Sequence, residues 1–131
     1  MENRIINQEK DRAIFAFACV EDANQNDKIK KDYKSYVRKI PMMILNNGLG
    51  ATIAFIYSKK KEENAYALID RQILKWFKLD EKEDLVQWII NKNSQEYRAV
   101  TNEVLTLFSW LKRFAEGMIE EDKEDGKKEE K

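Results

Sequence analysis

The 131-residue chain contains no histidine. That removes the commonest general base, the commonest metal ligand and every triad that needs an imidazole. Carboxylates or lysines tuned by burial would remain for catalysis, and no spacing singles out such a pair. A lone cysteine, Cys19, excludes a disulfide within the chain and a thiolate metal cluster. Set in the apolar run 13–20, it reads as a packing residue. One proline and four glycines leave few places for a helix to break. Asn47-Gly48-Leu49-Gly50 lacks the Gly-Lys-Ser/Thr of a phosphate-binding loop and reads as a turn between helices. The longest apolar run, residues 13–20, falls far short of the ~20 residues that span a bilayer. Residues 1–11 are too polar for a signal peptide. These absences argue against an enzyme, a metal or cofactor protein and a membrane protein, and they make a reducing cytoplasm the expected location.

What is present favours helices. Apolar residues make up 43% of the chain and charged residues 37%, the latter well above the usual ~25%. Ala, Leu, Ile, Lys, Glu and Arg dominate its middle. The expected fold is all-α, a single-domain bundle of about five to seven helices over residues 1–119. The net charge of zero conceals an asymmetry: residues 116–131 hold eight acidic and four basic side chains, and residues 1–115 hold sixteen acidic and twenty basic. The last ten residues carry no apolar side chain and cannot offset the entropy of ordering. Residues 120–131 are therefore expected to form a charged, disordered tail.

A first helix is expected over residues 5–23, apolar most of the way round and so central to its bundle. Asp27 can cap a second, in which Ile29, Tyr33, Tyr36, Val37, Ile40 and Ile44 share one face. Pro41 should kink or restart that helix, and Asn46-Asn47-Gly48 should stop it. Residues 52–57 are rich in β-branched and aromatic side chains, but without a partner strand residues 49–59 are assigned to a helix. A helix over residues 64–77 follows. Asp80-Glu81-Lys82-Glu83 reads as a capping box opening a shorter one through Leu85, Ile89 and Ile90. Ser94 can cap the last and longest helix, to about residue 119, with Tyr97, Val100, Val104, Leu107, Leu111, Phe114 and Met118 on its buried seam.

Three features could carry function. Lys30, Lys31, Lys34 and Arg38 line the face of the second helix opposite its apolar side. Such a run is commonly just a solvated helix face, but only Asp32 interrupts residues 28–39 with a negative charge, and a phosphate backbone is the natural partner for a stripe so little compensated. Lys59-Lys60-Lys61 closes the third helix, where cations favour the helix dipole and could also meet phosphate. Trp110 lies three residues before Arg113, off the main seam, where the guanidinium could stack over the indole at a protein or nucleic-acid interface. Trp76 and Trp88 look like core or core-edge residues.

The run from Arg38-Lys39-Ile40-Pro41 through Asn46-Asn47-Gly48-Leu49-Gly50 to Ala54-Phe55-Ile56 resembles the hallmark of the small subunit of the type III-B CRISPR (Cmr) effector complex. Arg12-Ala13 in the first helix matches in register, as do Tyr97, Glu103-Val104-Leu105 and Trp110-Leu111-Lys112-Arg113-Phe114-Ala115 in the last. Residues 60–93 and the acidic tail match weakly. The resemblance implies an all-helical subunit without nuclease activity, assembled in several copies beside a guide RNA and its target RNA. Such a subunit would hold the strands without reading their sequence. The resemblance does not itself say which residues touch RNA. Arg38, Lys39, Lys59, Lys112 and Arg113, the basic residues in or beside the matching motifs, are the expected phosphate contacts, with Lys30, Lys31 and Lys34 extending the surface and Trp110 expected at a protein interface. The expected partners are guide and target RNA, other Cmr subunits and further copies of the chain, with no cofactor and no metal. The alternative is a structural adaptor whose basic faces meet acidic patches on neighbouring subunits.

Overall fold

A computed structural model describes the backbone of residues 2–120 and the side chains from Gln8 onward. The acidic tail expected beyond residue 119 lies almost wholly outside the described residues. Six helices and no strand make up the described chain: α1 (Glu2–Asn24), α2 (Lys30–Asn47), α3 (Leu49–Lys59), α4 (Ala65–Trp76), α5 (Leu85–Ile90) and α6 (Ser94–Met118). The all-α expectation holds, including for residues 52–57, whose β-branched side chains find burial on a helix: Thr52, Ile53 and Ile56 are all buried.

α6 is the spine. Its Val104, Leu107, Phe108, Leu111 and Ala115 are buried, flanked on one side by α1 and on the other by α2. Contacts set the directions. Arg12 meets Glu103, Phe17 meets Phe114 and Asn24 meets Met118, so α1 and α6 run the same way. Lys34 meets Ile119 and Arg38 meets Glu116, so α2 runs against α6. α4 crosses beneath α1 and α2, where Tyr33 donates to Gln72 Oε1 at 2.7 Å and Gln72 donates to the Cys19 carbonyl at 3.2 Å. This polar link is buried and fully partnered, as a polar group inside an apolar core must be.

The α2–α3 corner follows from two glycines and one tyrosine. Gly48 takes φ +89°, which an L side chain adopts only with strain, and its N–H closes α2 on the Ile44 carbonyl. Two residues on, the Gly50 N–H, one of the donors a helix start leaves open, donates to Tyr97 Oη at 2.7 Å. A Cβ on Gly50 would sit 3.2 Å from that oxygen. The Asn-Gly-Leu-Gly turn is thus a latch between the α2–α3 corner and α6.

Several local expectations are corrected. The helix does not restart at Pro41, which sits inside a continuous α2, with the packing of Tyr33, Val37, Ile40 and Ile44 outweighing the hydrogen bond that proline removes. Asp27 does not cap α2. The boundary residue is Ile29, with no side-chain cap, and Asp27 pairs instead with Lys30. Asp80 turns the preceding loop by accepting from Lys82 N, whereas Asp84 caps α5, which starts only at Leu85. Asn93 rather than Ser94 caps α6, in a reciprocal capping box with Glu96. Finally, α1 is not central: Ile14 and Phe17 stand 60% and 45% exposed on its outer face.

Candidate nucleic-acid interface

The nominated cations fall on both flanks of α2 and on the outer face of α6. On the α6-facing flank, Lys30 Nζ lies 3.2 Å from Asp27 and Arg38 Nε lies 3.6 Å from Glu116. Lys34 Nζ donates to the Ile119 carbonyl at 2.9 Å. With Asn24, which donates to the Met118 carbonyl at 3.1 Å, it satisfies carbonyls that the end of α6 leaves open. Lys31 is exposed on the same flank. The stripe is therefore not uncompensated, as its own helix suggests. Glu116 reaches it from α6, and a charge so distant in the chain is invisible when α2 is read alone. Surface pairs of this kind contribute at most about 1 kcal/mol and exchange readily with other anions.

Lys39 sits on the opposite flank, facing α3 and α4. There Tyr36 and Tyr66 stack at 4.0 Å between centroids with 13° between planes, and Phe55 meets Tyr66 edge-on at 5.8 Å. Two ammonium groups converge on this cluster. Lys39 Nζ is 4.9 Å from the Tyr36 ring and 6.0 Å from Phe55, and Lys59 Nζ is 5.7 Å from Phe55. Ring faces carry partial negative charge and hold ammonium groups loosely, leaving their outward N–H donors available. Burial raises both phenols above the ordinary tyrosine value, so the rings stay neutral and the lysines set the charge. Their neighbour Lys60 is bound to the buried Asp70 at 3.2 Å, which leaves Lys59 and Lys61 as the exposed cations of the three-lysine run.

On α6, Lys112 and Arg113 are exposed. Lys39, Lys59, Lys112 and Arg113 form no ion pair among the described residues. The expected stacking of Arg113 over Trp110 is not found there. Trp110 instead lies against Phe114, one turn on, at 5.7 Å and 27°, and Phe114 meets Phe17 edge-on at 5.5 Å. The i, i+4 aromatic pair turns the indole toward α1 and leaves the guanidinium outward. Trp110, Phe114, Phe17 and Ile14 thereby make a partly exposed apolar strip along the α1–α6 groove.

Sequence reasoning did not anticipate the role of Arg12. Its guanidinium makes a bidentate pair with Glu103, both contacts at 2.7 Å, and Trp76 Nε1 donates to the same carboxylate at 3.1 Å. This joins α1, α4 and α6 and explains why Arg12 and Glu103 occur together. The resemblance had marked both positions without assigning them a partner. Cys19 is buried, and desolvation pushes its thiol up to about 12, the opposite of an activated nucleophile. Among the described residues no group of His, Cys, Asp and Glu is placed to hold a metal, and no helix is long and apolar enough to cross a membrane.

Comparison with known proteins places this geometry in context. The profile of the family described as CRISPR-associated protein (Cas_Cmr5) matches residues 8–118. The CRISPR system Cmr subunit Cmr5 of Thermus thermophilus is 28% identical over 90 residues, covering 69% of this chain and 77% of that protein. A crystal structure of a CRISPR-associated Cmr5 family protein from the same organism superposes with a TM-score of 0.73 at 27% identity, covering 83% of this chain and 94% of the other.

Proposed function

The chain belongs to the Cmr5 family of CRISPR-associated proteins, and from that premise we propose that it is a non-catalytic subunit of a type III-B Cmr effector complex in antiviral defence. It binds guide and target RNA through their backbones and stacks against other subunits and further copies of itself. The observation that carries the RNA reading is the set Lys39, Lys59, Lys112 and Arg113. These four exposed cations have no carboxylate partner among the described residues, and two of them are poised over one aromatic cluster. Cations presented on ring faces and helix surfaces meet phosphates without reading bases, which suits a complex in which base pairing supplies specificity. Lys30, Lys31, Lys34 and Arg38 extend that surface, with their present partners exchanged for phosphate.

The absence of histidine and the unreactive Cys19 thiol support a role without catalysis. The strip of Trp110, Phe114, Phe17 and Ile14 supports the protein contacts, because neighbouring exposed apolar side chains favour burial against a partner. Two double charge reversals test the RNA reading: Lys39→Glu with Lys59→Glu, and Lys112→Glu with Arg113→Glu. Each is expected to weaken binding of single-stranded RNA and to lower the slope of log K against log salt by about 1 to 2. Affinity and slope unchanged in both variants would leave the adaptor reading, in which only protein subunits are bound.

A further inference from the structure

Three rings from three helices make one platform where α2, α3 and α4 meet. Tyr36 of α2 stacks face to face on the buried Tyr66 of α4 at 4.0 Å, and Phe55 of α3 stands edge-on to Tyr66. Polar contacts fix the frame that carries them. Asn64 donates to the Lys59 carbonyl at 2.9 Å and accepts from the Ala67 N–H at 2.9 Å, so one side chain joins the end of α3 to the start of α4. Lys60, bound to the buried Asp70 of α4, ties down the same corner.

One face of the Tyr36 ring is taken up by Tyr66. Rings stacked 4.0 Å apart leave no room between them, so Lys39 Nζ, 4.9 Å from the Tyr36 centroid, lies over the opposite face. That face is covered by an exposed lysine and not by the core, and Tyr36 is only half-buried. A cation–π contact at an exposed site is weak and easily broken. The Lys39 and Lys59 ammonium groups both lie within 6.0 Å of the Phe55 centroid, so two cations rim the ring face that a turn of Lys39 would open. Burial keeps both phenols protonated, and no phenolate repels a phosphate there. Asp32, one turn before Tyr36, acts on both phenols, which leaves the Lys39–Lys59 side for a phosphate to approach.

A nucleotide within a strand has the matching parts, a flat ring with phosphates flanking it. Every base has a π-face, so stacking on an aromatic side chain takes any base without selecting which one. Only an unpaired base can do so, because a duplex keeps its bases stacked on one another. We infer that Tyr36 is a stacking platform for one unpaired RNA base, with Lys39 swinging aside so that it and Lys59 hold the flanking phosphates. The inference rests on the RNA binding proposed above and narrows it: this flank of α2 takes a single strand in preference to a duplex. Charge alone predicts the reverse, since a duplex carries about twice the phosphate charge of a single strand per unit length.

The test measures the affinity of the full chain, at low salt, for three labelled oligonucleotides of equal length. They are a single-stranded RNA, the same ribose-phosphate backbone without bases, and the RNA paired with its complement. The single strand is expected to bind roughly tenfold more tightly than the abasic backbone, and more tightly than the duplex. Tyr36→Leu, which keeps apolar bulk against Tyr66, should erase the advantage of the single strand over the abasic backbone and leave the salt slope unchanged. Lys39→Gln should instead lower that slope by about 1. Equal affinity of the unaltered chain for the single strand and the abasic backbone would overturn the stacking while leaving backbone binding in place, and that comparison depends on no variant. No binding of any of the three would remove the RNA reading itself, so the two failures are distinguishable.

Discussion

Glu103 accepts hydrogen bonds from Arg12 of α1 and Trp76 of α4, and so ties both helices to α6. These donors, Arg12 foremost, hold its carboxyl below the usual range. A carboxyl lowered by folding adds stability above its unfolded value of about 4.3, and that stability is lost as pH falls through the lower folded value. Glu103→Gln is therefore expected to cost about 1–3 kcal/mol at neutral pH. The gap to the unaltered chain should narrow once the pH is taken well below that unfolded value. Urea unfolding at both pH values measures it, and an equal gap at both would mean that no proton is linked to this carboxylate. Neither this triad nor the latch between Tyr97 and Gly50 could be derived from the sequence. Each joins residues far apart in the chain, and periodicity reports the face of a helix but not what lies across from it. The same limit hid the pairing of Arg38 with Glu116.

At the scale of the elements, the helical periodicity proved a sound guide. Tyr33, Val37, Ile40 and Ile44 are buried on α2, and Val104, Leu107 and Leu111 on α6, as their spacing predicts. The ends were less legible, because several polar residues near each end compete as caps and only the three-dimensional path selects one. α4 ends in a way its sequence gives no hint of. Lys78 takes φ +59°, its N–H donates to the Lys75 carbonyl and the Leu79 N–H to that of Leu74. This is the bonding pattern that usually places glycine where Lys78 stands. Lys78→Gly should stabilise the chain by about 1 kcal/mol. Gly117 presents the converse case: a Cβ there meets nothing within 4 Å in the last turn of α6, so Gly117→Ala should add about 0.5–1 kcal/mol. Thermal melts of the two variants check both signs, and a lower melting temperature in either would contradict the local geometry described.

At the scale of the whole molecule, the apolar pattern of α1 misleads most. A helix apolar nearly all round reads as the centre of a bundle, yet α6 holds that place and α1 turns Ile14 and Phe17 outward. Those residues join Trp110 and Phe114 in the strip proposed above to meet a neighbouring subunit, and hydrophobic periodicity alone would not distinguish burial within a chain from burial between chains. The basic residues were legible as a set, but not in their division. One flank of α2 is met by Asp27, Glu116 and the end of α6, while Lys39 and Lys59 converge on Phe55 across the helix. The central claim is that this surface grips RNA by its backbone and ignores its bases. Its most direct test is the affinity of the full chain for two single-stranded RNAs of equal length and unrelated sequence, each followed across a salt titration. About four phosphate contacts predict the same affinity for both within roughly twofold, and a slope of log K against log salt near about −3. No binding even at low salt, or a strong preference between the two sequences, would contradict it.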